Sequence, residues 1–141
     1  MKNISTLLTV LLSLLLSVAV LSSCNADSKT SKEVTDTVYT YEQISQKEAK
    51  ALMDSEKDYV ILDVRTTEEF AESHIKGAVL IPDYDIKSKA ETVLTDKDQL
   101  ILVYCRSGRR SKEAAGKLAK LGYTNIVEFG GIQDYEGEIE K

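Results

Sequence analysis

The 141-residue sequence is poor in several residue types that structural and catalytic sites often need. It contains no tryptophan, one proline, one histidine and two cysteines. Two cysteines exclude a disulfide-dense scaffold, and one histidine excludes a site built from several histidine ligands. The formal net charge of −5 argues against a nucleic-acid-binding surface, since such surfaces are basic. With 43% hydrophobic and 29% charged residues, the composition is that of a globular protein, and the length is sufficient for one domain.

The first 38 residues predict an export signal and a linker. Residues 4–21 are almost wholly apolar and carry no charge, and the run leads into Leu21-Ser22-Ser23-Cys24, with small residues before a cysteine. This ending resembles the lipobox of bacterial lipoproteins, in which the cysteine is acylated and becomes the first mature residue; an uncleaved signal anchor is the alternative. We expect a lipoprotein signal peptide at 1–23, a lipidated Cys24 beginning a flexible polar tether at 24–38, and a domain at 39–141. The protein would be exported and lipid-anchored to a membrane of the bacterial cell envelope, in the periplasm or at the outer cell face.

From residue 39 onward, helical and strand patterns alternate. Continuous apolar runs predict buried strands at 59–62, 78–81, 100–104 and 126–129, of which the third should be central. Capping boxes at 45–48 and 66–69 predict helix starts, and further helices are expected within 83–98 and from about Arg110 to Gly122. This alternation predicts an α/β domain with a parallel sheet covered by helices on both faces.

The stretch Cys105-Arg106-Ser107-Gly108-Arg109-Arg110-Ser111 carries the strongest chemical signal. It joins the end of the predicted central strand to a helix, where backbone N–H groups and the helix dipole bind anions and stabilise a thiolate. Such settings lower cysteine pKa values to about 3.5–7.5. Three of the four arginines of the chain lie here, and guanidinium groups suit oxyanions. The loop therefore predicts a nucleophilic Cys105 beside an anion site, and a buried structural cysteine is the alternative.

The spacing within this loop distinguishes two cysteine chemistries. Cysteine phosphatases use C-x5-R, but Ser111 occupies the sixth position after Cys105, and Tyr104 rather than histidine precedes it. Phosphatase or arsenate-reductase chemistry is therefore disfavoured. The shorter loop suits a ring of donors around one added sulfur atom. A thiolate that attacks the outer sulfur of thiosulfate becomes a persulfide and expels sulfite.

Motifs on both sides of the loop resemble the rhodanese superfamily in its single-domain sulfurtransferase form. The matching segments, which together cover about residues 40–137, are Asp63-Val64-Arg65, Glu69-Phe70, His74-Ile75-Lys76-Gly77-Ala78, Ile81-Pro82, 121–127 and Gly130-Gly131-Ile132. Ser73 and Tyr135 stand where the family often has glycine and usually has tryptophan, which concerns local packing and the pocket rim. The resemblance implies a rhodanese-like three-layer domain with a central five-stranded parallel sheet. It also implies that Cys105 is the nucleophile and that Arg106 to Arg110, extended here to Ser111, bind the substrate.

Other polar residues of these motifs are expected to support the structure. Asp63 and Arg65 lie at the end of a buried strand, where a structural ion pair is the expected arrangement. His74 is expected to be structural, because an ionised thiol needs no general base, and Tyr104 to be a core residue. No metal-ligand spacing is present in the sequence, and no cofactor is expected.

These observations favour a membrane-anchored sulfurtransferase that works through a Cys105 persulfide. Its donor would be thiosulfate or a similar small anion. The domain has no second thiol, so the acceptor must be external: cyanide, a small thiol or a reduced protein. The alternative is a non-catalytic rhodanese module for protein docking or persulfide sensing, which would need neither the intact cysteine nor the loop.

Overall fold

The computed structural model describes residues 40–141. The predicted signal peptide, the lipidation site Cys24 and the tether at 24–38 therefore lie outside the described residues. The strands are β1 (Glu42–Gln43), β2 (Tyr59–Asp63), β3 (His74–Ile75), β4 (Val79–Leu80), β5 (Leu100–Cys105), β6 (Ile126–Gly131) and β7 (Ile139–Glu140). The helices are α1 (Gln46–Ser55), α2 (Thr67–Glu72), α3 (Ile86–Val93) and α4 (Arg109–Lys120), with a 3-10 turn at Ile132–Asp134. None of these helices is long and apolar enough to cross a membrane.

Five strands form one sheet in the order β1-β6-β5-β2-β4, and every neighbouring pair is parallel. The predicted parallel sheet and the central position of β5 are confirmed. Parallel strands align their carboxyl ends at one edge of a sheet, so the ends of β2, β5 and β6 meet there. Cys105 is the last residue of β5 and pairs in register with Gly131 of β6.

Helices cover both faces of this sheet, which confirms the three-layer α/β fold. On one face, α3 and α4 pack against the sheet through a cluster that includes Ile86, Ala90, Ala115 and Leu118. On the other face, α1 packs through Ala49 against a cluster with Leu102, Tyr104 and Phe129. Alternate residues of β5 enter opposite clusters, and this alternation places Cys105 on the α3–α4 side.

The segment 78–81 differs from its prediction as a buried strand. Only Val79 and Leu80 pair with the sheet, and they form its edge at β4. Val79 is 37% exposed, whereas Ile81, just beyond the strand, is fully buried. An apolar run therefore marked a strand here but not a central one, because a sheet edge leaves one side of the strand without a neighbour.

Two further strands lack an apolar run and were not predicted from the local pattern. β1 supplies the fifth strand of the sheet through two exposed residues beside β6. In the C-terminal tail, β7 pairs antiparallel with β3, so His74 lies opposite Glu140 and Ile75 opposite Ile139. The tail is thus hydrogen-bonded to the domain rather than trailing from it.

Both predicted capping boxes are present and define the starts of α1 and α2. The Ser45 and Thr66 hydroxyls each accept the backbone N–H three residues on, and Glu48 and Glu69 each accept the cap residue's own N–H. A cap of this kind stabilises a helix by about 1 kcal/mol. The cap on α2 also fixes Glu69, which contacts the cysteine loop from a distant part of the chain.

Candidate active site

The candidate nucleophile ends β5, at the start of the loop that leads to α4. Cys105 is 1% exposed, and the backbone N–H of Gly108 donates a hydrogen bond to its Sγ at 3.1 Å. Gly108 has a φ of 99°, a left-handed conformation that favours glycine, and it directly precedes α4. This turn aims successive N–H groups and the amino end of α4 at the sulfur atom.

The hydrogen bonds of the loop favour the ionised sulfur. Burial is the largest single influence and by itself raises the pKa of the Cys105 thiol. Hydrogen bonds from Ser111, and from the backbone N–H groups of Ser107 and Gly108, together outweigh burial and lower that pKa below its ordinary value. A thiolate is the reactive form of cysteine, so these hydrogen bonds favour the form that reacts.

The double glycine of β6 packs directly behind this loop. A Cβ atom on Gly131 would overlap the Arg106 carbonyl oxygen and lie 2.5 Å from the Ser107 Cα. The backbone N–H of Gln133 also donates to the Arg106 carbonyl oxygen at 3.4 Å. The conformation of the loop therefore depends on the absence of a side chain at residue 131.

We expect Gly131→Ala to disturb the loop and to reduce the reactivity of Cys105. The added methyl group must displace the loop backbone, which moves N–H donors away from the sulfur and costs about 1–3 kcal/mol of stability. Alkylation rates of Cys105 and urea unfolding measure the two effects. Gly116→Ala is the matched control, because nothing lies within 4 Å of a Cβ at this position of α4. The control is expected to stabilise the protein by about 0.5–1 kcal/mol, and a similar gain for Gly131→Ala would contradict the account.

The three loop arginines do not all turn toward one point, although their clustering predicted a shared anion site. Arg110 forms two hydrogen bonds with the Glu69 carboxylate at 2.7 and 2.8 Å. Arg109 pairs with Glu113 on the surface of α4. Arg106 is exposed and has no ion-pair partner within residues 40–141. Arg106 is therefore the guanidinium most available to an incoming anion.

The Glu69–Arg110 pair joins α2 to the first turn of α4. Hydrogen bonds from Arg110 lower the pKa of Glu69 from its ordinary value of 4.5 to about 2. A depressed carboxyl pKa contributes stability above its unfolded value, and that contribution is lost as the pH falls through the folded value. The stability that the pair contributes should therefore be constant above about pH 4.5 and decline between pH 4.5 and about 2, and the pair itself should break only as the pH falls through about 2.

Glu69→Gln is expected to lower stability at neutral pH by an amount that disappears in acid. Glutamine can still accept at the helix cap, so the substitution mainly removes the charge. Urea midpoints of both proteins, measured from pH 7 to pH 2, should differ by a constant amount above pH 5 and converge toward pH 2. A difference that stays the same at all these pH values would show that the ion pair is not its cause.

A buried polar network lies beneath the same sheet edge. The Asp63 carboxylate accepts from the Arg65 guanidinium at 2.6 Å and from the Tyr104 hydroxyl at 2.5 Å. Arg65 also donates to the Ser73 carbonyl oxygen at 2.7 Å, and the Ile75 N–H donates to the Tyr104 hydroxyl at 3.1 Å. Burial, together with the bond to Asp63, raises the pKa of Tyr104. Asp63 and Arg65 thus form an ion pair, and Tyr104 is a core residue with a buried polar partner.

The contacts of His74 are made to α2 and β7 rather than to the cysteine loop. Its Nδ1 is 2.9 Å from the Phe70 carbonyl oxygen, its Nε2 is 3.4 Å from Glu140, and its ring stacks on Phe70. These contacts tie the end of α2 to the C-terminal strand β7. Within residues 40–141, no three His, Cys, Asp or Glu side chains are grouped so that they could hold a metal ion.

One residue beside the loop was missed in the sequence. Glu128 lies in β6 with 2% exposure, and its Oε1 accepts from the Ser111 hydroxyl at 2.6 Å. The available signal was an acidic residue within the otherwise apolar run 126–129, which was interpreted only as a strand. Charged residues are rarely fully buried without a specific partner, so this interruption pointed to an interaction.

Known proteins share both the sequence and the fold of this domain. The rhodanese-like domain family matches residues 45–138. The chain is 37% identical over 73 residues to the thiosulfate sulfurtransferase PspE of Escherichia coli, covering 52% of this chain and 70% of PspE. It is 36% identical over 98 residues to YtwF of Bacillus subtilis, covering 70% and 93% of the two chains. The solved structure of a rhodanese with anions from E. coli superposes with a TM-score of 0.56 and 34% identity, over 59% of this chain and 98% of that one.

Proposed function

Because the chain belongs to the rhodanese-like family, we propose that it is a sulfurtransferase that carries a sulfane sulfur atom on Cys105. The observation that carries this proposal is the hydrogen-bonded cysteine in the loop, where the Gly108 nitrogen lies 3.1 Å from Sγ. Its relative PspE is named as a thiosulfate sulfurtransferase, and a related structure was solved with anions. Thiosulfate, or a similar small anion, is accordingly the proposed donor.

The proposed reaction has two steps. In the first, the Cys105 thiolate attacks the outer sulfur of thiosulfate, the S–S bond of thiosulfate breaks, and its electron pair leaves with sulfite. In the second, a nucleophilic acceptor attacks the outer sulfur of the persulfide, and the electron pair of the broken bond returns to Cys105 as a thiolate. Backbone N–H groups of the loop offer hydrogen bonds to the charge on sulfur in both steps.

The acceptor must come from outside the domain. Cys105 is the only cysteine within residues 40–141, so no second thiol of the domain can take the sulfur from the persulfide. Cyanide, a small thiol or a reduced protein would each serve. We assign the substrate-binding role to the loop residues Arg106, Ser107, Gly108, Arg109, Arg110 and Ser111, with Arg106 as the first guanidinium to meet the donor.

Steady-state kinetics of the full chain with thiosulfate and cyanide test this proposal. Two separate half-reactions predict parallel lines in double-reciprocal plots of thiocyanate release, as in other ping-pong reactions. Arg106→Ala is expected to raise the KM for thiosulfate about tenfold, because it removes a charge-assisted contact. Lys120→Ala, at the far end of α4, is the control for charge and should change neither the KM for thiosulfate nor kcat. Absence of thiocyanate release with the thiol reduced would contradict the proposed donor and acceptor.

We further propose that the protein is exported and held at a membrane of the bacterial cell envelope by lipid on Cys24. The support is the apolar run at 4–21 that ends in Leu21-Ser22-Ser23-Cys24, followed by a polar segment that would serve as a tether. On this proposal the folded sulfurtransferase domain begins at about residue 39. Cells expressing the full chain should incorporate labelled fatty acid into it, and Cys24→Ser should abolish the label. Equal labelling of the two proteins would overturn the proposal.

A further inference from the structure

Glu128 and Lys112 carry opposite charges and line one cavity, but they do not pair with each other. The cavity has a volume of about 430 Å³ and lies beside the cysteine loop, between the start of α1 and the first turn of α4. Glu128 is 2% exposed, whereas Lys112 is an exposed residue. Among residues 40–141, neither side chain has an oppositely charged group within 4.0 Å. Each can therefore pair with a charge that a ligand brings.

The Glu128 carboxylate lies against the backbone that lines this cavity. Its Oε1 accepts the Gly130 N–H at 2.9 Å and lies 3.8 Å from the place that a Cβ on Gly108 would take, and both glycines line the cavity. Oε1 also accepts the Ser111 hydroxyl at 2.6 Å, but no donor of the described part of the chain reaches Oε2. A buried carboxylate without a cationic partner is costly to the fold, so a cationic ligand would be stabilised here.

A second acceptor without a donor lies in the wall of the same cavity. Gln46 begins α1, and its Nε2 donates to the Gly131 carbonyl oxygen, which fixes the orientation of the amide. Its Oε1 is buried and is the only such side-chain polar atom within residues 40–141 that lacks a hydrogen-bond partner. A buried acceptor left without a donor costs free energy. An ammonium group carries a positive charge and three N–H donors, which are the groups that Glu128 and Gln46 lack.

The charges of the cavity together fit an α-amino-acid group, which joins an ammonium to a carboxylate. Lys112 supplies the cation for the carboxylate. Two further acidic residues line the cavity: the Glu48 carboxylate is already bound at the helix cap by Ser45, and Asp134 is exposed. The volume of about 430 Å³ lies within the range of about 300–1,000 Å³ that small-molecule sites occupy.

We propose that this cavity binds the α-amino-acid group of a small peptide thiol, and that this thiol is the acceptor of the sulfur atom. The ammonium of the ligand pairs with Glu128 and with Gln46 Oε1, and its carboxylate pairs with Lys112. The role as acceptor rests on the sulfur transfer proposed above, whereas binding of the ligand does not depend on it.

The position of the cavity suits a thiol carried on a short arm. Ser107 and Gly108 line the cavity, and the Gly108 nitrogen is 3.1 Å from the Cys105 Sγ. Two extended residues span about 7 Å, which is enough to pass this part of the loop. The peptide thiolate attacks the outer sulfur of the Cys105–S–SH persulfide, and the bond between the two sulfurs of that persulfide breaks. Its electron pair returns to Cys105 as a thiolate, and the peptide leaves as its own persulfide.

The test is calorimetric titration of the full chain, in detergent solution, with γ-glutamyl-S-methylcysteine. Its thioether cannot accept sulfur, so the titration measures binding alone. Two analogues are titrated beside it: one lacks the α-ammonium, and the other has a carboxamide in place of the α-carboxylate. Each loses one charge-assisted contact, so each should bind about tenfold more weakly. Equal affinity for the three compounds, or no binding of γ-glutamyl-S-methylcysteine, would overturn the inference without the need for any variant.

Two variants assign the contacts to their residues. Glu128→Gln should weaken binding of γ-glutamyl-S-methylcysteine about tenfold but leave binding of the analogue without the ammonium unchanged. Lys112→Ala should have the same effect with respect to the carboxamide analogue. Glu91→Gln on α3 and Lys120→Ala at the far end of α4 make the same charge changes outside the cavity and should match the wild type. Loss of affinity for all three compounds to the same extent in folded Lys112→Ala would contradict the assigned contact.

The proposed sulfur transfer fails in a different way from this inference. Absence of a Cys105 persulfide after thiosulfate treatment, with binding of γ-glutamyl-S-methylcysteine intact, would contradict the transfer and leave the binding site. A persulfide that cyanide removes, in a chain that does not bind this compound, would overturn the inference and favour a protein acceptor. We expect γ-glutamylcysteine to remove the sulfur atom from the persulfide about tenfold faster than its analogue without the α-ammonium, at equal subsaturating concentrations.

Discussion

We expect Cys105→Ser to keep its fold and to lose persulfide formation and sulfur transfer completely. The serine side chain is close in size to cysteine and fits the same buried position at the end of β5, where the native residue is 1% exposed. Its hydroxyl, however, stays protonated at neutral pH in a loop that stabilises a thiolate. Thiocyanate release from thiosulfate and cyanide measures the loss, and circular dichroism measures the fold.

The control for this variant is Cys24→Ser, which removes the other cysteine of the chain. It should keep full sulfur transfer in detergent solution, because Cys24 lies outside residues 45–138, which the rhodanese-like family matches. If Cys105→Ser keeps turnover and Cys24→Ser loses it, then Cys24 rather than Cys105 carries the sulfur and our account is wrong. Wild-type turnover in both variants would contradict the assignment of sulfur transfer to Cys105.

Asp63→Asn is expected to cause the largest loss of stability among single substitutions in the polar network. The Asp63 carboxylate is fully buried and accepts from Arg65 and from the Tyr104 hydroxyl. Its neutralisation leaves the Arg65 guanidinium buried beside an amide, and breaking a buried pair in this way costs about 3–5 kcal/mol. A domain of this size is stable by about 5–15 kcal/mol, so much of that stability would be lost. Urea unfolding at pH 7 measures the effect.

Asp54→Asn is the matched control for this loss. Asp54 pairs with Lys50 one helical turn away, and their side chains are 69% and 54% exposed. Exposed pairs of this kind contribute less than about 1 kcal/mol, so the control should unfold close to the wild type. If Asp63→Asn and Asp54→Asn have the same midpoint, the buried network does not stabilise the domain as described.

The sequence pattern predicted those parts of the fold that local composition determines. Apolar runs located β2, β5 and β6, and capping boxes located α1 and α2, because burial and end capping act within a few residues. The two-residue strands β1 and β7 are exposed and mostly polar, and their pairing depends on distant partners. No local pattern marks such strands. The edge position of β4 likewise follows from the topology of the sheet rather than from its own residues.

The site shows the same division between local and long-range determinants. Cys105, its loop and the following helix are consecutive in sequence, so their spacing predicted a thiolate held by backbone N–H groups. The partner of Arg110 is Glu69, which is 41 residues away, and the partner of Ser111 is Glu128, 17 residues away. Clustering in sequence predicted three arginines directed at an anion, but Arg110 pairs with the distant Glu69 and Arg109 pairs with Glu113 on the same helix. Only Arg106 keeps its guanidinium free of an ion pair within residues 40–141.

Mass spectrometry of the full chain after incubation with thiosulfate, with peptide mapping, tests the central claim most directly. The account predicts that the peptide containing Cys105 gains one sulfur atom and that subsequent cyanide removes it as thiocyanate. Cys105→Ser should show no gain under the same conditions. An unmodified Cys105 peptide in the wild type, with the thiol shown to be reduced beforehand, would contradict sulfur transfer from thiosulfate and favour the non-catalytic docking or sensing module.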